Sequence, residues 1–524
     1  MLTPILGQAY TARSVNAADN RMVNLFPEAV PEGGLTGGFL NRAPGLRLLT
    51  TVGTGPIRGL WTHLTNGEDA YVASGTEFYK ILPDFTARKL GNISGTGPVS
   101  IADNGNQLFI ACGARAFVYT EPTDTFTEII DPDFFGAETV CYIDGYFAFN
   151  QPNTQIIWVT GIFDATAINP LAFAAAESTP DQVVAVVSNN REVWVFGTGT
   201  TEVWYDAATT PFPLAPIQGA YNEIGCIAKS SICKLDNSLF WLGADPRGYG
   251  IVYRNQGYTG KRISTHAIEF AIQSYGDVSD AVAYTYQQEG HAFYVLAFPT
   301  AGKTWVYDVS TGAWHERAGW FNGSFTRHRS QCQMNFDSQT IVGDYENGNL
   351  YAFDLNVYAD DNNTQKWLRS WRPIPENQNN LTRSAQHTLQ LTCESGVGLE
   401  LGVTSDPTIA FFATSNIFNA TVNNIVTNDG DYLIFSMATI PSGTAEGQGD
   451  DPEAMLRWSD DGGHTWSNEH WTQMGRIGQY GFRAFWRRLG MTLKLRDRVY
   501  EVSGTDPVKI VITGANLLVS PTNR

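Results

Sequence analysis

Apolar residues recur along this chain in short runs separated by clusters of Gly, Asn, Asp and Ser. The stretch from Asp181 to Asp206 shows the pattern most clearly. Val183 to Val187 is an unbroken apolar run, which suits an inner strand buried on both faces. Ser188-Asn189-Asn190 is a turn cluster, and Val193, Trp194, Val195 and Phe196 form a second strand. Gly197-Thr198-Gly199 turns the chain again. Val203, Trp204 and Tyr205 make a third strand, which Asp206 stops. A three-stranded meander cannot bury both of its faces alone, so it needs copies of itself alongside.

The chain supplies them. Seven meanders of this kind begin at residue 56, with third strands starting near Glu77, Ala116, Gln155, Thr201, Ile251, Thr304 and Asn349. Steps of about 40 to 50 residues are the period of propeller blades, whereas stacked solenoids use shorter repeats. The pattern predicts an all-β chain with a seven-bladed β-propeller, six to eight blades being compatible with it, followed by a β-sandwich domain. The sixth copy shows a fourth strand, Tyr307 to Trp314 folding over a tight turn. One helix is expected in ISTHAIEFAIQSY, capped by Ser264, with Ile268, Ala271, Ile272 and Tyr275 on its buried face. Residues 1–50 read as an arm whose strands near Val23 to Phe26 or Leu46 to Thr50 are candidates for closing the propeller. Residues 51–360 hold the blades. Residues 361–524 are the expected sandwich, with a loop-rich insertion or mobile loop at about 404–450.

Composition narrows the class. Across 524 residues, 43% are hydrophobic and only 16% charged, with 51 glycines and 24 prolines, as expected of a large β protein and not of a helix bundle. The net charge of −18 argues against gripping nucleic acid by the overall field. The six cysteines are scattered without metal-ligand spacing, and reduced, buried thiols are expected of a protein made in a reducing cytoplasm. No secretory signal and no stretch long enough to span a membrane is read in the sequence. No cofactor, metal or catalytic residue is expected, because no phosphate loop, zinc pattern or nucleophile elbow is present.

Two stretches near the C-terminus carry candidate chemistry. SDDGGHTW, residues 459 to 466, matches the Asp-box pattern through Ser459, Asp461, Gly463 and Trp466. Its physics is that of a hairpin turn: Asp461 accepts backbone N–H bonds, Gly463 supplies a permissive backbone, and Trp466 packs beneath. Sialidases carry such boxes, so a propeller-type glycoside hydrolase is one alternative, and a glycan-binding receptor module is another. Further on, Lys494, Arg496 and Arg498 fall on one face of an expected strand from Met491. A row of this kind is either a solvated face or a subunit interface that docks an acidic neighbour.

With these residues in view, the chain resembles the packaged-DNA stabilisation proteins of short-tailed bacteriophages, also called tail hub or nozzle proteins. The matching pieces are VNLFPE at 23–28, APGL at 43–46, TTEVWYDAATTPFPLAPIQGAYNEIGCIAKSS at 200–231 and ISTHAIEFAIQSY at 263–275, with RWSDDGGHTWS and FRAFWRRLG near the end. The resemblance implies a structural, non-enzymatic protein of the virion tail, synthesised and assembled in the host cytoplasm. It implies a homo-hexameric ring below the portal and its adaptor that prolongs the DNA channel and helps retain packaged DNA. Such a ring docks the tail needle or tail fibres, surrounds DNA without sequence-specific binding, and inserts into no membrane of its own.

Overall fold

The computed structural model describes residues 1–14, 18–30, 37–63, 69–176, 179–245, 248–374, 383–395, 425–426, 432–433, 451–475, 479, 481–492 and 498–522. The insertion expected at about 404–450 lies outside the described residues, apart from a short antiparallel pair, Ile425–Val426 with Tyr432–Leu433.

Seven antiparallel sheets follow one another in sequence order. The first strands are Ile57–Thr62, Ser100–Asp103, Val140–Ile143, Val183–Asn189, Cys233–Leu235, Val282–Gln288 and Ser330–Phe336. Each sheet is tied to the next. Trp61 Nε1 donates to Asp103 at 2.6 Å between the first and second, and Val140 N to Ser100 Oγ at 3.1 Å between the second and third. Val186 N donates to Thr139 Oγ1 at 2.8 Å between the third and fourth. Phe196 packs edge-on against Trp241 at 5.4 Å between the fourth and fifth. Thr285 Oγ1 donates to the Lys234 carbonyl at 3.0 Å, and Tyr284 shares a 2.5 Å hydrogen bond with Ser330. Gln331 and Cys332 of the seventh sheet then meet the Ile57 carbonyl of the first, so the series closes on itself as a seven-bladed propeller.

Closure comes from the arm. Gly45–Thr51 pairs antiparallel with Asn349–Asp354 and supplies the fourth strand of the seventh blade. Of the two candidates, it is therefore the Leu46 to Thr50 stretch that closes the ring. The segment near Val23 does something else. Met22–Val23 sits between Ala313–Glu316, the outer strand of blade six, and Trp367–Trp371 of the second domain. One sheet consequently runs from the propeller into the sandwich and on through Val499–Gly504, Glu453–Ser459 and His470–Gln473.

The facing sheet of the sandwich contains Ala484–Arg487, Ser384–Ser395 and Ile510–Pro521, and again recruits the arm through Gly38–Arg42 and Leu25–Ala29. Between the two sheets lie Trp367, Trp371, Leu389, Leu391, Leu456, Trp486, Tyr500, Val502 and Ile512, all buried. Polar side chains fix the joint. Asn24 is fully buried in the left-handed region at φ 54°, a conformation that Asn tolerates. It donates to the Ala318 and Lys366 carbonyls at 2.8 Å each and accepts from Ala318 N at 3.0 Å. The buried Arg42 guanidinium reaches carbonyls of Tyr358, Gln365, Asp506 and Val508.

Three details differ from expectation. The helix runs from His266 to Gln273, and Thr265, not Ser264, caps it; Ser264 Oγ instead bonds Glu269 and the Val252 amide. Ile268 and Ile272 carry its packing, while Ala271 and Tyr275 are only half-buried. Of the strand expected from Met491, the described residues show Val499–Gly504, and Met491 makes a single bridge to Ala385. Fourth strands exist in every blade, although most escaped the sequence pattern. Ala87–Asn92, for example, has no buried residue and so no apolar signature.

Three outcomes follow from this packing. A chain lacking residues 1–51 exposes the edge of Asn349–Asp354 and strips both sandwich sheets, so it should aggregate; a soluble truncation with unchanged melting would refute the closure. Trp204 is buried, with Nε1 bonded to Glu202 at 2.9 Å. Trp204→Ala should cost about 3–5 kcal/mol in denaturant unfolding, and a loss under about 1 kcal/mol contradicts its place in the core. Asp360, buried beside Arg317 and Arg42, has its carboxyl pushed up to about 6 by desolvation, which those guanidiniums only partly offset. A raised folded pKa favours the fold most below the ordinary value of 3.8, and that contribution is lost as pH rises through 6. The stability of the chain relative to an Asp360→Asn variant should therefore fall between pH 4 and pH 7, by on the order of 2–3 kcal/mol. A pH-independent difference would contradict it.

Candidate assembly surfaces and the central channel

The first strands of all seven blades converge on one cavity of about 530 Å³, which is the propeller's channel. Its charged lining side chains are Arg58, Glu138, Lys229 and Lys234. Arg58 is engaged by the carbonyls of Gly75, Ser94 and Gly97. Lys229 is paired with Glu138. Lys234 opens onto the channel, and desolvation among the strands draws its ammonium pKa down. Hydrolysis of a glycosidic bond needs two carboxyl groups flanking the sugar. Among the described residues the channel offers one, and a lysine holds it. Nor is the channel a passage for duplex DNA, whose major groove alone is about 12 Å wide.

The Asp box is a turn stabilised by its own side chains. It joins Glu453–Ser459 to His470–Gln473. Asp461 Oδ1 accepts from the backbone of His464 at 3.0 Å and of Thr465 at 2.8 Å, and Oδ2 from the Thr465 hydroxyl at 2.6 Å. Ser459 Oγ donates to Asp461 at 2.6 Å and accepts from Gly463 N at 2.8 Å. The Ser459 and Thr465 hydrogen bonds hold the Asp461 carboxyl well below the usual range. Gly463 has φ 106°, a value that an L side chain would strain. Trp466 does not pack deeply beneath the turn. It is half-exposed and carries the Arg457 guanidinium 4.8 Å above its ring.

The proposed basic row divides. Lys494 and Arg496 lie outside the described residues. Arg498 is no surface residue: its side chain is 2% exposed and forks onto Asp460 at 2.6 and 2.8 Å. Its remaining N–H groups reach the Leu489 and Met491 carbonyls at 2.7 and 3.2 Å. The expectation of a subunit interface at Arg498 is therefore corrected: strict alternation counted from Met491 put this side chain on an outer face, whereas it turns inward onto Asp460. Arg498 instead clamps the Asp-box turn to the last strands of the sandwich. Asp460, the first carboxylate of the box, is the partner that sequence reasoning missed.

A different cationic strip is exposed. In Phe482–Arg488, Ala484 and Trp486 point into the core while Phe482, Arg483, Phe485 and Arg487 face out, with Arg488 exposed beyond them. The alternation FRAFWRR is visible in the sequence.

Arg498→Ala removes charge-assisted hydrogen bonds to an Asp460 that stays 23% exposed, and should lower stability by about 1.5–3 kcal/mol. Asp461→Ala should lower the melting temperature by a smaller step. Equal melting of Arg498→Ala and the parent protein would show that the clamp is not structural.

No curated protein matches the sequence. Several solved structures match this chain at low identity. A computationally designed Ika8 protein is 14% identical, covering 64% of this chain and 100% of its own, with a TM-score of 0.37. A chain of a mitotic checkpoint complex is 11% identical, covering 63% and 98%, with a TM-score of 0.38. The virginiamycin B lyase from Staphylococcus aureus is 11% identical, covering 59% and 97%, with a TM-score of 0.39. Likeness at this level carries no functional argument. Two family models match far more of the chain: the bacteriophage P22 Gp10 β-propeller over residues 1–358 and the bacteriophage P22 Gp10 β-sandwich over residues 421–520. The chain therefore belongs to the bacteriophage P22 Gp10 family of structural tail proteins.

Proposed function

We infer that this protein forms a six-membered ring in the virion tail, below the portal and adaptor, that prolongs the DNA channel and retains packaged DNA. Its distal side docks the tail needle or fibres. The observation that carries the reading is family membership along both domains. The structure adds two supports. The propeller's own channel is too small for a duplex, so any DNA passage has to run between copies. The net charge of −18 also suits a wall past which DNA slides. A neutral or acidic lining makes no phosphate contacts, and the duplex moves inside its own counterion layer.

The test is electron microscopy of the purified protein, alone and after incubation with tail-less, DNA-filled heads. Rings at the portal vertex, together with duplex binding that is weak at physiological salt, are expected. Failure to join such heads, or tight salt-sensitive binding of the free protein to duplex DNA, would overturn the reading.

A further inference from the structure

Two exposed surfaces on this chain have complementary chemistry and lie on elements far apart in the topology. The first is the cationic, aromatic strip at Phe482–Arg488. Arg483, Arg487 and Arg488 have no carboxylate partner among the described residues, and Arg487 rests over Phe485 at 5.6 Å. Beside them, Trp471 is 56% exposed on the edge strand His470–Gln473. That strand abuts Ala484–Arg487 through Thr472 Oγ1, which donates to the Phe485 carbonyl, and through Trp486 Nε1, which donates to the His470 carbonyl.

The second surface is the loop between blades two and three. Ile130 is 89% exposed there and Phe135 57%. Asp131 and Asp133 flank them, with no cation paired to either among the described residues. Phe135 leans on Trp158, which in turn packs on the exposed Phe173 of the outer strand of blade three. That strand, Asp164–Ala175, carries no charge after its first residue, and among the described residues no strand pairs with its outer edge. Long uncharged edges of this kind are seldom left bare in a soluble monomer.

Topology sets the two surfaces apart. The sandwich is fused to blade six through Met22–Val23. In a closed ring of seven blades, the junction between blades two and three lies half-way round from blade six, whichever direction is counted. A patch and its complement on elements this far apart in the topology do not pair with each other within the chain. They match a head-to-tail contact between copies, which generates a closed ring when the rotation closes.

We propose that the Arg483–Arg488 strip and Trp471 of one copy dock on the Ile130–Phe135 loop and Phe173 of the next. The contact rests on the ring reading given above, and it assigns the surfaces that build the ring. Desolvated aromatics and aliphatics form its centre, while the arginine–aspartate pairs set partner and register.

Sedimentation velocity over a concentration series, with the full-length protein, reads the contact. Arg483→Glu with Arg487→Glu should weaken self-association at least tenfold, and so should Asp131→Lys with Asp133→Lys. Mixing the two variants should restore assembly, because in alternation the reversed strip meets the reversed loop and the unaltered strip meets the unaltered loop. Ile130→Asp, at a fully exposed position with no structural partner, should weaken assembly without changing melting, which guards against a fold defect in the loop variants. Oligomers indifferent to all three changes, or swapped variants that fail to recover on mixing, overturn this interface and leave the ring intact. A parent chain that stays monomeric at every concentration, and as single copies on tail-less heads, overturns the ring reading itself.

Discussion

The body of this protein depends on the hydrogen bonds that Asn24 makes across the joint between its two domains. Its side chain reads the Ala318 and Lys366 carbonyls and the Ala318 amide from a fully buried position. Its own backbone N–H donates to Glu316 O, and its carbonyl accepts from Ala43 N. A buried amide in that setting has to be satisfied on every side, and each unmade bond costs on the order of 1–3 kcal/mol. Correct placement of Asn24 therefore requires blade six, the linker after the propeller and the arm to be in register together. Arg42 repeats the device a short distance away, with Tyr358, Gln365, Asp506 and Val508 as its acceptors.

This arrangement explains why the arm is long. Gly45–Thr51 closes the propeller, Met22–Val23 bridges it to the sandwich, and Leu25–Ala29 with Gly38–Arg42 extends the opposite sandwich sheet. The N-terminus itself is held, with Met1 N donating to the Leu517 carbonyl at 2.7 Å. A structural tail component has to hold its shape. Continuity of one sheet from blade six to His470–Gln473 answers that requirement better than a flexible linker, because a hinge at the joint would have to break ladder hydrogen bonds.

The blades were legible because their inner strands are apolar and separated by turn residues. The expected third-strand starts at Glu77, Ala116, Thr201 and Asn349 are the observed ones. Trp194 and Trp204, chosen from the pattern alone, are both buried. Outer strands were not legible, since a strand exposed on its far edge needs no apolar alternation. The arm's bridging role was hidden as well: Met22–Val23 is a two-residue strand whose partners lie some hundreds of residues away. The Asp box was readable because its hydrogen bonds are local, from Ser459 to Thr465. Arg498 was misplaced because its partner, Asp460, is distant in sequence, so a charge on an assumed strand face was assigned to a subunit interface when its partner lies within the chain.

The central claim is that arm and shared sheet weld propeller and sandwich into a single cooperative unit. Differential scanning calorimetry of the full-length protein tests it most directly. The welded body predicts one heat-absorption peak whose van't Hoff and calorimetric enthalpies agree, with both domains losing structure together. Two resolved transitions, one domain melting while the other stays folded, would contradict it.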